Sequence, residues 1–159
     1  MKKAGYALLA ILVIIQFFHS TKNINATATA NDISKLYTVP KDVETILKTS
    51  CYDCHSNNTK YPWYNNIQPV AWWLNNHIQE GKRGINFNEF ASYQVRRQYK
   101  KMEDIIEQVK ENEMPLSSYT LIHKNAILTR EQKLTLSNWA DGIRKDMESK
   151  YPSDSLKRR

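Results

Sequence analysis

The sequence is poor in the residues that interrupt regular structure. Four glycines and five prolines in 159 residues are too few for the closely spaced turns of a β-sandwich, and a helical domain is favoured. Cysteine is scarcer still. Two cysteines exclude a scaffold held by several disulfides. With no second cysteine pair, and with His77 and His123 isolated, a structural zinc site lacks its four ligands. The flanks of the cysteine pair look helical, whereas a thioredoxin-like pair needs a strand–helix–strand setting. No internal repeat or low-complexity domain is present. The net charge is +7, but no nucleic-acid-binding motif accompanies it, so no nucleic-acid partner is expected. The longest apolar run, residues 4–18, falls short of the ~20 residues that cross a bilayer.

What is present stands out against this background. Residues 51–55 read Cys51-Tyr52-Asp53-Cys54-His55. Two cysteines separated by two residues, with histidine next, form the attachment pattern of c-type haem. Each thiol adds across a vinyl group of the porphyrin and becomes a thioether. The two-residue gap suits the spacing of the vinyls. The histidine then lies under the ring, where its imidazole can bind iron. The pattern predicts one covalent haem c held by Cys51 and Cys54, with His55 as the proximal ligand. Both cysteines are then consumed, and no disulfide is expected.

The N-terminus reads as an export signal. Lys2 and Lys3 precede the apolar run, and Ala26-Thr27-Ala28-Thr29-Ala30 supplies small residues of the cleavable type. The cleavage-type stretch lies well beyond the apolar run, so a retained N-terminal anchor is the alternative to a cleaved signal. Either way the folded part is expected on the periplasmic side, soluble or anchored to the cytoplasmic membrane. The expected division is a signal or anchor over 1–28, a linker over 29–39, a haem-binding domain over 40–148 and a polar basic tail over 149–159. Lys2, Lys3 and Lys22 contribute to the charge of +7 without any acid among residues 1–28. The weak basic bias that remains suits an acidic redox partner protein or an anionic surface.

Apolar periodicity places helices along the domain. Val43, Ile46 and Leu47 predict a short helix after Pro40, leading into the haem motif. Residues 56–68 read as loop. In it, Tyr61-Pro62-Trp63-Tyr64 suits either a haem wall or ordinary core. Val70, Trp73, Leu74, His77 and Ile78 predict the buried face of a helix that starts near Pro69 and stops at Gly81. Asn86 reads as a cap, followed by a long amphipathic helix over about residues 95–112. Thr129-Arg130-Glu131-Gln132 is a capping box opening a final helix lined by Leu136, Trp139, Ala140, Ile143 and Met147. The fold class expected is all-α.

The sixth iron position has several candidates. Met102 and Met147 lie on apolar stripes and suit core packing. His77 and His123 are possible ligands, and an open site is another outcome. Met114 differs, because Pro115 ends the helical pattern and holds it in a loop. A His55/Met114 pair raises the reduction potential relative to two histidines. It also closes the iron to substrates, which suits electron transfer rather than an enzyme. The alternatives are a five-coordinate haem peroxidase or diatomic-gas sensor, and a non-redox haem-binding module.

The order of these elements resembles the bacterial haem-binding domain family. The resemblance rests on Cys51-x-x-Cys54-His55-Ser56-Asn57, Tyr61-Pro62-Trp63-Tyr64, Pro69, Trp72 and Trp73, Glu80-Gly81, Asn86-Phe87, Met114-Pro115, Tyr119, His123, Ala126, Leu128 and Trp139. It covers roughly residues 40–145. It implies a small exported monohaem c-type protein with a helical, cytochrome c-like fold. It also implies haem bound through Cys51 and Cys54, His55 as proximal ligand and Met114 as distal ligand. The family has no well-defined reaction, so the resemblance names the cofactor better than the task.

Overall fold

Helix α2 (Lys41–Ser50) starts after Pro40, with Asp42 and Glu44 in its first turn. Acidic residues there complement the positive end of the helix dipole. Its Val43, Ile46 and Leu47 are all buried, as their spacing predicts. The structure, a computed structural model, describes residues 2–25 and 29–157. Ala26, Thr27 and Ala28 of the small-residue stretch, and Arg158 and Arg159 of the tail, lie outside the described residues. Among the described residues there is no β-strand, and the fold is all-α. The only strand-like feature recorded is an isolated antiparallel bridge between Ile24 and Asn58.

Seven further helices complete the described chain: α1 (Lys2–Ile15), α3 (Tyr52–His55), α4 (Val70–Gly84), α5 (Val95–Lys110), α6 (Ser117–Thr120), α7 (Arg130–Lys150) and α8 (Ser153–Leu156). The spine is the pair α5 and α7. Tyr99 meets Glu148, Arg144 reaches Glu103 at 3.3 Å, and Lys133 reaches Asn112. The start of one helix therefore lies beside the end of the other, and the two run antiparallel. Tyr99, Met102, Leu136 and Met147 are almost fully buried between them. The two methionines are thus core, as the apolar stripes suggest. Helix α2 packs on α7, and α8 packs on α5 with Leu156 buried.

The capping box forms as the sequence predicts. The Thr129 hydroxyl accepts from the Gln132 backbone N–H at 3.2 Å, and Gln132 Oε1 accepts from the Thr129 N–H at 2.8 Å. Thr129→Ala is expected to cost about 1 kcal/mol. A lowered midpoint of urea unfolding, with unchanged slope, is the measurement.

Three local expectations change. The segment after Asn86 is a 3-10 helix, Phe87–Ser92, rather than the start of the long helix. Asn86 does cap it, accepting from the Asn88 N–H at 3.1 Å, and Phe87 and Phe90 carry it into the core. Gly81 does not end α4, which runs on to Gly84. The expected face of α4 is also only partly buried. Ile78 of the expected face is buried, as is Ala71, whereas Val70 and Trp73 are exposed, with α3 packed against α4 at Gly81. Part of an apolar stripe that reads as core is left uncovered.

Residues 16–25 and 29–39 are folded against the domain. Ile33 is fully buried. Ahead of it, Asn23 donates to the Ser56 carbonyl and to Thr59 Oγ1, both at 2.9 Å, and its N–H donates to the Tyr61 hydroxyl at 2.7 Å. Helix α1, by contrast, buries none of its residues. Among the described residues no helix is long and apolar enough to cross a membrane.

Candidate functional site

The Cys-x-x-Cys-His stretch is built on a break in the helix. Cys51 closes α2 by donating its N–H to the Leu47 carbonyl at 2.9 Å. The Cys51 carbonyl then accepts from the N–H groups of Cys54 at 3.1 Å and His55 at 2.9 Å. One tight turn thus presents Cys51, Cys54 and His55 from a single short element.

The environment of His55 fixes how its ring can act. Nδ1 lies 2.9 Å from the Gly81 carbonyl and 3.0 Å from the Ile85 carbonyl. Both partners only accept, so Nδ1 carries the proton. Nε2 is left with a free lone pair, the form in which imidazole binds a metal. Burial pulls the imidazole below its usual pKa range, against the two carbonyl hydrogen bonds. The neutral ring is therefore the resting form at neutral pH.

Burial also pushes the Cys51 thiol up to about 12 and the Cys54 thiol up to about 11. A catalytic dithiol needs a lowered thiol pKa, and these two have the opposite. Their setting does not suit a thiol-exchange pair.

Two cavities, of about 370 and about 310 Å³, share Cys51, His55, Gly84 and Met114 as walls. The first is closed by core side chains, among them Leu47, Phe87, Ile105 and Leu136. Lys101 and Asp104 stand at its polar edge. The second runs past His77, Pro115, Leu116 and Tyr119. Each falls in the range of ligand pockets, and their apolar walls with few polar groups are the usual character of a cofactor site.

Met114 reaches both cavities because the end of α5 turns back on itself. Asn112 adopts φ 64°, a left-handed conformation that asparagine tolerates. The N–H groups of Glu113 and Met114 then both reach the Gln108 carbonyl, at 2.9 and 3.2 Å. Beyond Pro115, Tyr119 donates to Asp53 Oδ2 at 2.8 Å, which ties the loop to the cysteine turn.

The other candidates are placed differently. His77 lines the second cavity, but its Nδ1 is engaged with the Trp73 carbonyl at 2.9 Å and its ring lies 4.2 Å from the Trp73 ring. His123 lines neither cavity and pairs through Nε2 with the Tyr64 hydroxyl at 3.0 Å. Residues 61–64 wall neither cavity. Trp63 is exposed, and the Tyr61 hydroxyl accepts from Asn23.

Sequence reasoning missed the contribution of Gly81. A Cβ on Gly81 would stand 2.7 Å from the Cys54 carbonyl oxygen and 3.0 Å from the Cys54 Cβ. Glycine is what lets α4 press on the cysteine turn and bring a carbonyl to His55. The available signal was its position inside a continuing helical pattern, where glycine is otherwise unfavourable.

Fold and cavities together define a helical protein with two adjoining, mainly apolar cavities that share an imidazole whose Nε2 is free. A sequence model of the haem-binding domain family matches residues 10–142. The chain belongs to this family and binds haem. None of the curated proteins and none of the solved structures compared with the chain matches it. Among the described residues no group of three or more His, Cys, Asp or Glu could hold a bare metal ion. The donor set fits haem instead: an imidazole with its free nitrogen available, the Met114 thioether on both cavities, the Cys51 thiol at their shared edge and the Cys54 thiol on the second.

Proposed function

We propose that the chain is an exported monohaem c-type cytochrome that carries single electrons. The observation that carries this reading is the convergence of His55 and Met114 on the same pair of cavities, with Cys51 at their shared edge. In this reading Cys51 and Cys54 would hold haem by thioether links, each S–H having added across one vinyl C=C, the sulfur to one carbon and the hydrogen to the other, with no oxidant needed. His55, oriented by the carbonyls of Gly81 and Ile85, and Met114 would supply the iron ligands.

Bound there, haem supplies a one-electron Fe(III)/Fe(II) couple. The side chains around it hold both ligands in place and keep water out. Leu47, Phe87, Ile105 and Leu136 supply a low-dielectric wall, and a Met114 thioether bound to the iron would keep small molecules from it. Such a site suits outer-sphere transfer to another protein. The net charge of +7 favours a partner with an acidic surface. The apolar run after Lys2 and Lys3 supports a place on the periplasmic side of the cytoplasmic membrane.

The test is the full chain expressed with export and haem-maturation machinery. Its intact mass is expected to include one haem, and acid–acetone treatment is expected to leave the colour on the polypeptide. A mild soluble reductant is expected to reduce it fully. Extraction of the colour into the solvent rules out covalent attachment. Tight carbon monoxide binding by the unaltered ferrous protein points to the gas-sensing or peroxidase reading, and a haem that no soluble donor reduces points to a non-redox module.

A further inference from the structure

The N-terminal segment and the start of α4 both carry large apolar residues that the described part of the chain leaves exposed. Helix α1 buries no residue, and its 14 residues include Tyr6, Leu8, Leu9, Ile11, Leu12, Val13 and Ile14, all exposed. A helix that is apolar on every side is stable only inside protein or lipid. None of the described residues of this chain buries a residue of α1.

The chain leaving α1 is bound firmly to the domain. Gln16 Oε1 accepts from the Gln68 N–H at 2.9 Å, and the Phe18 carbonyl accepts from Gln68 Nε2 at 2.6 Å and from Trp72 Nε1 at 3.1 Å. Lys82 donates to Asn23 Oδ1 at 2.6 Å, and the Asn25 N–H donates to the Asn57 carbonyl at 2.9 Å. Gln68, Ser56 and Thr59, which receive this segment, are themselves buried. A cut within residues 26–30 would take these partners away from buried polar groups beside the haem motif.

Exposed apolar residues of the domain are close in sequence to Gln68 and Trp72, which receive the segment. Trp63 is 76% exposed, Trp73 48% and Ile67 45%, and Val70 and Trp72 are also exposed. They flank Gln68, the residue that holds Gln16 and Phe18. Phe17, at the end of α1, is 80% exposed. Tryptophan on a surface next to an apolar helix has the character of the water–lipid boundary, where an amphipathic ring has both of its environments.

We propose that residues 1–25 stay on the mature protein, and that the domain end formed by Trp63, Ile67, Val70 and Trp73 rests on the phospholipid bilayer into which α1 inserts. This rests on the exported, membrane-side reading above and is independent of how haem is bound. A second copy of the chain is the competing occupant, but a dimer would leave the tryptophan-rich end without the half-wet boundary that suits it.

The experiment uses the full chain, produced with export and haem maturation. Its intact mass establishes the N-terminus. It is then reconstituted into vesicles of phosphatidylethanolamine and phosphatidylglycerol that contain a phospholipid with a photoactivatable diazirine near the head group. Peptide mapping after illumination is expected to find label on α1 and on residues 63–73, several-fold above that on the exposed face of α7. The pair Trp63→Ser and Trp73→Ser, both at exposed positions, is expected to lower labelling of the 63–73 peptide several-fold with the visible spectrum unchanged. A mature N-terminus beyond residue 25 overturns the proposal. So does label confined to α1, or a 63–73 peptide cross-linked to a second copy rather than to lipid. The visible spectrum of the same sample reports the haem separately, so failure of the membrane contact and failure of the cytochrome reading are distinguishable.

Discussion

Met114→Ala is expected to lower the reduction potential by on the order of 100 mV, a modest part of the ~0.8 V that axial ligation spans. Ferrous protein carrying the change is also expected to bind carbon monoxide at low concentration, which the unaltered protein resists. The soft thioether favours Fe(II), so its loss favours Fe(III). Met114 is not core filler, unlike Met102 and Met147, which are essentially fully buried. Covalent haem content should therefore persist in the variant. Potentiometric titration and visible spectroscopy measure both effects. An unchanged potential with no carbon monoxide binding removes Met114 from the iron and makes His77, on the second cavity, the next residue to replace.

Gly81→Ala is expected to do more damage than the same change at Gly5, Gly84 or Gly142, where a Cβ meets nothing within 4 Å. The new Cβ would meet Cys54 backbone and side-chain atoms at 2.7, 3.0 and 3.2 Å. None of these is the end of a flexible side chain, so α3 and α4 must move apart. The Gly81 carbonyl also receives the His55 Nδ1–H at 2.9 Å, and that bond moves with the helix. Overpacking of this kind costs about 1–3 kcal/mol, against the ~1 kcal/mol that alanine otherwise gains over glycine within a helix. The expected outcome is a lower melting temperature and poor haem loading. Gly142→Ala is the control. Nothing lies within 4 Å of its Cβ, and it is expected to be neutral or stabilising. Equal melting temperatures and haem content for the two variants sink the argument.

Much of this arrangement is legible in the sequence, and the reasons are local. Val43, Ile46 and Leu47 announce α2, Thr129 and Gln132 announce α7, and Met114-Pro115 marks a loop after a helix. Each is decided by neighbours within a turn or two. What the sequence hides is decided at a distance. Val70 and Trp73 have the spacing of a core face together with Ile78, but only Ile78 is fully buried, because what covers each position is set by distant elements such as the cysteine turn packed at Gly81. Gly81 itself looks like a stop signal until α3 is seen to need the space. Residues 20–25 have no periodicity, because they dock through backbone and amide groups rather than an apolar face. Asn23 bonds to Ser56, Thr59, Tyr61 and Lys82, none of which can be paired with it by pattern.

The bond between Tyr119 and Asp53 has one more consequence. Asp53 stands between the two cysteines, so this bond joins the far bank of the crevice to the turn that edges it. Burial and the facing carboxylate push the phenol well above its ordinary pKa range, and it stays protonated in alkaline solution. The polypeptide is thereby a bracelet with a clasp. On the proposed c-type reading, haem is expected to enter before this bond closes, with the 111–123 segment docking afterwards.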